Sequence, residues 1–444
     1  MGVNTKAQAG QGQIELFEIT SNYSGETVDI REGVTSLYLF ESIFDSTVRA
    51  CVTYLDTGYG EGLALSEDKF NNSAGEKTEL IVRDGDKRKL KFVGNFELRT
   101  SNNARESMTS EDTTMTSITT WFYSKESLMN HVMSSRVTKK YERKISDNVY
   151  AILKEDCLKT PKPVFVDPSK NDFNFLGGNE KPFHKVTWLC KRTVPQGVGG
   201  NGITSGYFFY EVADGAGTPG GYYFKSVDKL LGQSPIRRFI LTNTNDVPVG
   251  YDAKIISQFE RTSIDAEKHI ISGSLMKRDL ETFDPFTNKY VKDDFSYKDQ
   301  NLKTNNAATS FWKVASDINF QDSITRNSQA MLDTGTLPTG RSWKEQKKES
   351  KQINFQPTEI IRQSENRYNQ LGSVNIEIVI AMDLGIHVGD IVFIDIPEIS
   401  SKKSKKPSKN KGGNYLVVDI SHKLGQEGCW TSLHLLRDTI NSKN

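Results

Sequence analysis

The sequence lacks the apolar segments that would place a chain in a membrane or export it. None of its apolar runs approaches the roughly 18 residues of a membrane-spanning helix. The N-terminal MGVNTKAQAGQGQ has no apolar signal-peptide core, and Lys6 stands where a myristoylation pattern needs Ser or Thr. We therefore expect a protein that is made in the cytoplasm and does not insert into a membrane.

Cysteine and net charge are also scarce. The four cysteines, Cys51, Cys157, Cys190 and Cys429, lie far apart and form no CxxC pair. We expect them to be reduced and mostly buried. Lys plus Arg number 57 and Asp plus Glu number 56, so the chain has no strong field to attract nucleic acid or anionic lipid.

Motifs of nucleotide binding and hydrolysis are missing as well. The glycine-rich stretch 197–202 lacks the Lys-Ser/Thr ending of a phosphate loop, and neither GxSxG nor HExxH occurs. Glu155 and Asp156 are adjacent carboxylates, but neighbours on a helix point about 100° apart, so the two cannot face one substrate. We predict that the protein is not an enzyme, with no catalytic residue and no cofactor.

The nearest approach to a metal-binding cluster is formed by His422, Cys429 and His434. Their spacing matches no familiar zinc pattern, and a hairpin over this stretch could place the three groups on different faces. We favour ordinary half-buried strand residues here and predict no metal site.

What the sequence does contain is a repeated strand pattern. From Ser373 to Asp438, apolar positions alternate with polar ones, as at Val374, Ile376 and Ile378, and glycines mark the turns. Several short strands at this spacing favour a small closed barrel or sandwich. Residues 13–123 show the same strand rhythm, so we predict two related β units.

A mixed segment separates these units. Ser124 is a plausible helix N-cap, Pro182 suits the first turn of another helix, and residues 357–371 predict a third. The aromatic hairpin, residues 207–210 and 222–224, alternates in a way that predicts packing on both faces. The lysine-rich stretch 401–411 could contact an anionic partner, but a solvated, mobile tip is favoured.

We predict a β-rich α+β fold in which two related small antiparallel β-barrels flank an inserted mixed domain and extended arms. The predicted divisions are a disordered N-terminus (1–12), a first β-barrel (13–123), a mixed α+β domain (124–235), a β extension (236–300), a polar arm or linker (301–356) and a second β-barrel with its lysine-rich loop (357–440).

The order of these elements resembles the baseplate hub proteins of contractile-tailed phages of the T-even-like and cyanobacterial type. The resemblance is carried by VTSLYLFESIFDSTVRACVTYLD, by KPFHKVTWLCKRTV with the hairpin that follows, and by VGDIVFIDIP, NYLVVDISHKL and TSLHLLRD. It covers residues 13–300 and 357–438. The N-terminal part of type VI secretion spike proteins is a more distant relative.

The resemblance implies a structural protein of the virion tail, assembled in the host cytoplasm. Two barrels per subunit, in a homotrimer, would make a pseudo-six-fold ring that adapts a six-fold tail tube to a three-fold central spike. The implied partners are the spike, tube, baseplate wedge and tape measure proteins. Genomic DNA would pass through the lumen without specific binding. A tail-associated cell-wall hydrolase or a glycan-binding tail module is the alternative function.

Overall fold

The chain folds mainly into β-strands, and the β-rich α+β class is confirmed. The computed structural model describes residues 10–22, 24–56, 75–97, 107–110, 113–197, 204–244, 246–260, 277–284, 288–295, 306–307, 324–331, 357–397 and 411–439. Most of the predicted N-terminal segment 1–12, the glycine-rich loop and nearly all of the lysine-rich loop therefore lie outside the described residues.

The first barrel is an antiparallel sheet with the strand order β2-β1-β5-β6-β8-β4-β3. Its strands are β1 (Gly12–Thr20), β2 (Thr27–Asp29), β3 (Val34–Ser42), β4 (Arg49–Asp56), β5 (Lys77–Asp84), β6 (Lys89–Glu97), β7 (Ser107–Ser110) and β8 (Thr113–Ser124). Alternate side chains of β1, β3, β4, β5 and β6 point inward, and Phe17 packs edge-on against Phe122 at 5.7 Å in the core. A 3₁₀-helix, Arg31–Gly33, precedes β3.

The mixed domain surrounds a three-stranded sheet with helices. Its elements are α1 (Lys125–Met129), a 3₁₀-helix (Met133–Ser135), β9 (Lys140–Tyr141), α2 (Ile145–Tyr150) continued by a π-helix (Ala151–Asp156), β10 (Val164–Val166), β11 (Phe175–Leu176), α3 (Pro182–Cys190), β12 (Tyr207–Val212), β13 (Asp214–Gly215), β14 (Gly221–Ser226) and α4 (Val227–Leu231). Ser124 does stand before α1, but its hydroxyl donates to Glu211 rather than capping the helix, and α1 is only five residues long.

The aromatic hairpin β12–β14 packs on both faces, as predicted. Tyr207, Phe209 and Tyr222 lie in the core of the mixed domain. Phe208 and Tyr223 lie in the core of the second barrel. This two-sided packing anchors the mixed domain to the second barrel.

The remaining elements complete the C-terminal half. They are β15 (Arg237–Ile240), β16 (Ala253–Glu260), β17 (Lys277–Asp284), β18 (Lys289–Phe295), β19 (Ile324–Met331), α5 (Pro357–Leu371), β20 (Val374–Ala381), β21 (Ile391–Asp395), β22 (Gly413–Gly425) and β23 (Gly428–Arg437).

The second barrel is a closed ring of six strands in the order β22-β21-β15-β16-β20-β23, with β23 returning to β22. The sequence predicted that residues 236–300 form a separate β extension. The structure instead places β15 and β16 among the six strands of the second barrel. Strand β15 pairs in parallel with β16 and β21, so the barrel is not purely antiparallel. The four residues of β15 are too few to show which sheet they join.

The two barrels share one hairpin, formed by β22 and β23. The first part of β22 pairs with β21, and its second part, from Asp419 to Gly425, pairs with β3. A bulge next to Val418 separates the two parts. On the other side, Gly10 N donates to Cys429 O at 2.9 Å. The shared hairpin therefore completes the first barrel and joins both barrels into one sheet.

Strands β17, β18 and β19 form a separate sheet in the order β18-β17-β19. Strand β19 falls in the segment 301–356, which the sequence predicted to be an irregular polar arm. Its residues, ITRNSQAM, contain few apolar side chains, so the strand has no alternation to detect. It is held by parallel backbone pairing with β17.

Candidate assembly surface

The shared hairpin creates a continuous outer surface across both barrels, which we call the joined face. It consists of the outward side chains of β8, β4, β3, β22, β23 and β20, neighbours in the sheet. Most of these side chains are half-buried rather than fully exposed. Its charged groups are two cations, Arg49 and Lys423, and two carboxylates, Glu377 and Asp419, together with His434. The joined face is thus long, polar and close to neutral.

A row of aromatic rings crosses the first-barrel side of the joined face. Tyr38 stacks on Phe40 with centroids 6.0 Å apart, and Phe40 stacks on Trp121 at 5.7 Å. Lys423 lies 5.8 Å from the centre of the Tyr38 ring. The rings connect β3 with β8, and Lys423 adds a contact from β22, so this packing stiffens the region where the two barrels meet.

A polar groove of about 320 Å³ lies on the same face, at the junction of the barrels. The Asp419 carboxylate lines the groove and accepts hydrogen bonds from Ser42 and, at 2.6 Å, from His434 Nδ1. Burial would raise the pKa of Asp419, but the bonds from His434 and Ser42 and the nearby positive charge lower it. Asp419 is therefore an ionised anchor between β3 and β23.

The arrangement in this groove differs from that of a nucleophilic triad. Ser42 and His434 contact the same carboxylate, on different oxygens, and Ser42 is not hydrogen-bonded to the imidazole. A serine is activated when a base accepts its proton directly. The groove therefore has no activated nucleophile.

The three groups examined as a metal cluster do not converge. His422 points into the barrel, where its Nδ1 lies 2.9 Å from Thr431 Oγ1, and burial lowers its pKa to about 4. Cys429 also points inward, whereas His434 lies on the joined face. The strand alternation separates the two histidines. Within the part of the chain that the structure describes, no three His, Cys, Asp or Glu side chains are placed to hold a metal ion.

A buried ion pair fastens the barrels and the mixed domain together. His387 Nδ1 lies 3.1 Å from Glu41 Oε1, with the two side chains 0% and 1% exposed. His387 Nε2 lies 3.3 Å from Ala216 O, and Glu41 accepts from Ala213 N at 3.0 Å. Because both ring nitrogens of His387 face acceptors, each must donate, so the ring is an imidazolium. Three parts of the chain meet at this one pair.

The pKa values of the pair are shifted in opposite directions. Burial would raise the pKa of Glu41, but the charge and hydrogen bond of His387, aided by His422 and the Ala213 N–H, lower it. Burial would lower the pKa of His387, but Glu41 and then Asp390 raise it. Both shifts stabilise the charged forms, so the pair is ionised in the folded protein.

A second cleft, of about 420 Å³, lies between the first barrel and the mixed domain. Lys162 and Glu211 line this cleft, and Lys162 Nζ lies 2.5 Å from Glu211 and 2.9 Å from Glu126, both carboxylates being buried. Burial raises the pKa of Glu211 despite Lys162, whereas Lys162 and Thr160 lower that of Glu126 against burial. Because one ammonium lies against both carboxylates, the three side chains connect the end of the first barrel to the mixed domain.

The other positions considered from the sequence have simple surroundings. Asp156 accepts from Lys139 at 2.6 Å, and Glu155 is exposed, so these neighbours do not act together. Among the helices that the structure describes, none is both long and apolar enough to cross a membrane. Reasoning from the sequence missed the roles of Glu41 and Asp419. A charged residue at the inward position of β3, between Leu39 and Ile43, was the available signal for Glu41.

Comparison with known proteins gives matches in structure only. No protein-family model matches the sequence, and no curated protein matches it. The 43 kDa tail protein of prophage MuSo2 from Shewanella oneidensis matches with a TM-score of 0.50 at 11% identity, over 97% of this chain and 100% of that one. A tail protein from Neisseria meningitidis MC58 matches with a TM-score of 0.53 at 9% identity, over 95% of this chain and 96% of that one.

The E. coli c3393 protein, a component of the type VI secretion system, gives a TM-score of 0.41 at 8% identity, over 98% of this chain and 79% of that one. That score is too low to support an assignment. The first two matches span almost the whole of both chains and confirm the predicted resemblance at the level of the fold. This chain has the fold of phage tail proteins.

Proposed function

We propose that this chain is a structural baseplate hub protein of a contractile phage tail. Three copies would form a ring of approximate six-fold symmetry that adapts the six-fold tail tube to the three-fold central spike. The ring would belong to the virion tail baseplate, be assembled in the host cytoplasm and contact the spike, tube, wedge and tape measure proteins. In this role the chain is not an enzyme.

The observation that carries the proposal is the shared hairpin. It joins two barrels edge to edge within one chain, and the second of them is a closed ring of six strands. Three such chains around an axis would present six barrels to the six-fold tail tube and three subunits to the three-fold central spike. Symmetry matching of this kind needs barrels held in a fixed mutual orientation, which the hairpin and the Glu41–His387 pair supply.

The joined face supports a role as part of a channel for DNA. Its cations and carboxylates are equal in number, and the cation Arg49 is paired with Asp45 at 2.9 Å. A strongly basic wall would hold phosphates and slow DNA that passes during ejection. A near-neutral wall of hydroxyl, amide and aromatic groups would let DNA pass without specific binding.

We expect the purified protein to form trimers whose averaged electron micrographs show a ring with six lobes. Native mass spectrometry would give the subunit number, and class averages would give the outline. A protein that stays monomeric over a wide concentration range, and forms no ring when mixed with its spike protein, would contradict the hub function. A trimer with three separate lobes would contradict the proposed symmetry matching alone.

A further inference from the structure

We propose that neighbouring copies of this chain bind each other through a basic, partly apolar face on the mixed domain and an acidic edge on the first barrel. The proposal rests on the hub trimer described above. A closed ring about a three-fold axis uses heterologous contacts, so each copy needs two unlike, complementary surfaces. Two surfaces of opposite charge are present on the chain.

The basic face is formed by residues 131–144, which contain five Lys or Arg and one Glu. Lys140, Arg143 and Lys144 are exposed. Neither Arg143 nor Lys144 forms an ion pair with any other residue that the structure describes. The segment therefore carries a net charge of plus four, with at least two cations available to a partner.

Exposed apolar side chains lie beside these cations. Leu176 is 71% exposed and is placed directly opposite Lys140 in the β9–β11 pair, so the two side chains leave the sheet on the same side. Met133 is 68% exposed and Val132 is 51% exposed. Large apolar side chains at the surface among charged groups are typical of a surface that a partner covers.

The segments that carry these side chains are held together. Val137 N donates to Glu180 O at 3.0 Å, and Gly177 N donates to Lys139 O at 2.9 Å. Lys181 Nζ lies 2.9 Å from His131 Nδ1. Residues 131–144 and 176–181 thus form one continuous surface, with apolar and basic parts side by side.

The acidic edge is formed by residues 10–33, which contain five Asp or Glu and one Arg. Among the strands that the structure describes, β2 pairs only with β1, so β2 lies at the end of the sheet. Arg83 and Lys89 neutralise Glu15, at 3.2 and 2.6 Å.

Three carboxylates at this edge, Glu18, Glu26 and Glu32, have no ion-pair partner among the described residues. Even with Glu15 neutralised, these three carboxylates leave the edge acidic, opposite in sign to the basic face. A second copy of this chain is therefore a partner that fits the basic face.

The test reverses the charge of the basic face. In a variant with Lys140→Glu, Arg143→Glu and Lys144→Glu, we expect the trimer to dissociate at a concentration roughly 100-fold higher than the wild type, because like charges now meet. Mass photometry over a dilution series would measure this. All three side chains are exposed, so the monomer should fold. We expect high salt to weaken the wild-type trimer and to strengthen that of the variant.

Rescue by the acidic edge makes the test specific. A variant with Glu18→Lys, Glu26→Lys and Glu32→Lys should be similarly impaired by itself. Combined with the reversed basic face, it should restore association to within roughly 10-fold of the wild type, since opposite charges meet again. Failure of the combined variant to associate better than either parent would overturn the proposal.

A matched control changes the same number of charges elsewhere on the mixed domain. Lys159→Glu, Lys170→Glu and Lys191→Glu are exposed positions outside residues 131–144, and this variant should associate like the wild type. A wild type that forms rings while the reversed basic face leaves its association unchanged would refute this interface and leave the hub function standing. A wild type that is monomeric would refute both.

Discussion

Replacing His387 with Leu is expected to lower the free energy of unfolding by about 3–5 kcal/mol, the cost of leaving one member of a buried ion pair alone. The Glu41 carboxylate would keep the Ala213 and Val388 N–H groups but lose its cation. It is 1% exposed as a side chain, so water cannot replace the imidazolium. Urea unfolding of the full chain would measure the change.

The pH dependence of this difference follows from the two pKa shifts. The pKa of His387 in the folded protein is raised above its ordinary 6.5. Its contribution to stability is therefore complete below pH 6.5 and is lost as pH rises through the pKa of the folded state. The pKa of Glu41 in the folded protein is lowered below its ordinary 4.5. Its contribution to stability is therefore complete above pH 4.5 and is lost as pH falls through the pKa of the folded state. The free energies of unfolding of the wild type and of His387→Leu should therefore differ most between pH 4.5 and 6.5.

The half-exposed pair Asp419–His434 provides the control. Its side chains are 40% and 26% exposed, so His434→Leu should cost at most about 1 kcal/mol. If His387→Leu were no more destabilising than His434→Leu, or if its effect did not change with pH, the buried pair would not be what fastens the barrels to the mixed domain.

Replacing Arg367 with Met should destabilise the fold by at least about 4 kcal/mol, because it removes the cation that two buried carboxylates share. Arg367, on α5, lies 2.6 Å from Asp438 after β23 and 3.2 Å from Asp228 of α4, and all three side chains are at most 2% exposed. The loss would loosen the mixed domain from the second barrel. Thermal unfolding, with hydrogen exchange of residues 357–371, would detect it.

Two further variants test the physical reason. Arg367→Lys retains the charge but lacks the planar fork that reaches two carboxylates, so it should be intermediate in stability. Arg49→Met removes an ion pair whose partners are each 37% exposed, and it should change stability by less than about 1 kcal/mol. Equal stability of all three variants would contradict a stabilising role for the buried ion pairs of Arg367.

Local patterns were predictable where burial alone sets the residue type. The alternation in β20 predicted an inward face of Val374, Ile376, Ile378 and Ile380, and all four are buried. Helix α5 spans the predicted residues 357–371, and α3 begins at Pro182 as predicted. These features depend on which side of a single strand or helix faces the core. Apolar residues that recur every two positions in a strand, or every 3.6 in a helix, show that side directly.

Pairing across the chain was not predictable in the same way. Strand β22 meets β3, and Glu41 meets His387 across 346 residues. Strand β19 pairs with β17 although its side chains have no apolar period. Every residue type except proline offers the same backbone donor and acceptor to a neighbouring strand. The amino acids of an edge strand therefore do not reveal which strand it will pair with.

By itself, the sequence determined the strand rhythm, the two-sided aromatic hairpin, the fold class and the resemblance to phage tail proteins. Each follows from local patterns of apolar and polar residues. The tertiary structure decided that the barrels share a hairpin, that β15 and β16 belong to the second barrel, and that the joined face is nearly neutral. Those features depend on contacts between distant segments, which are set only when the whole chain closes around its cores.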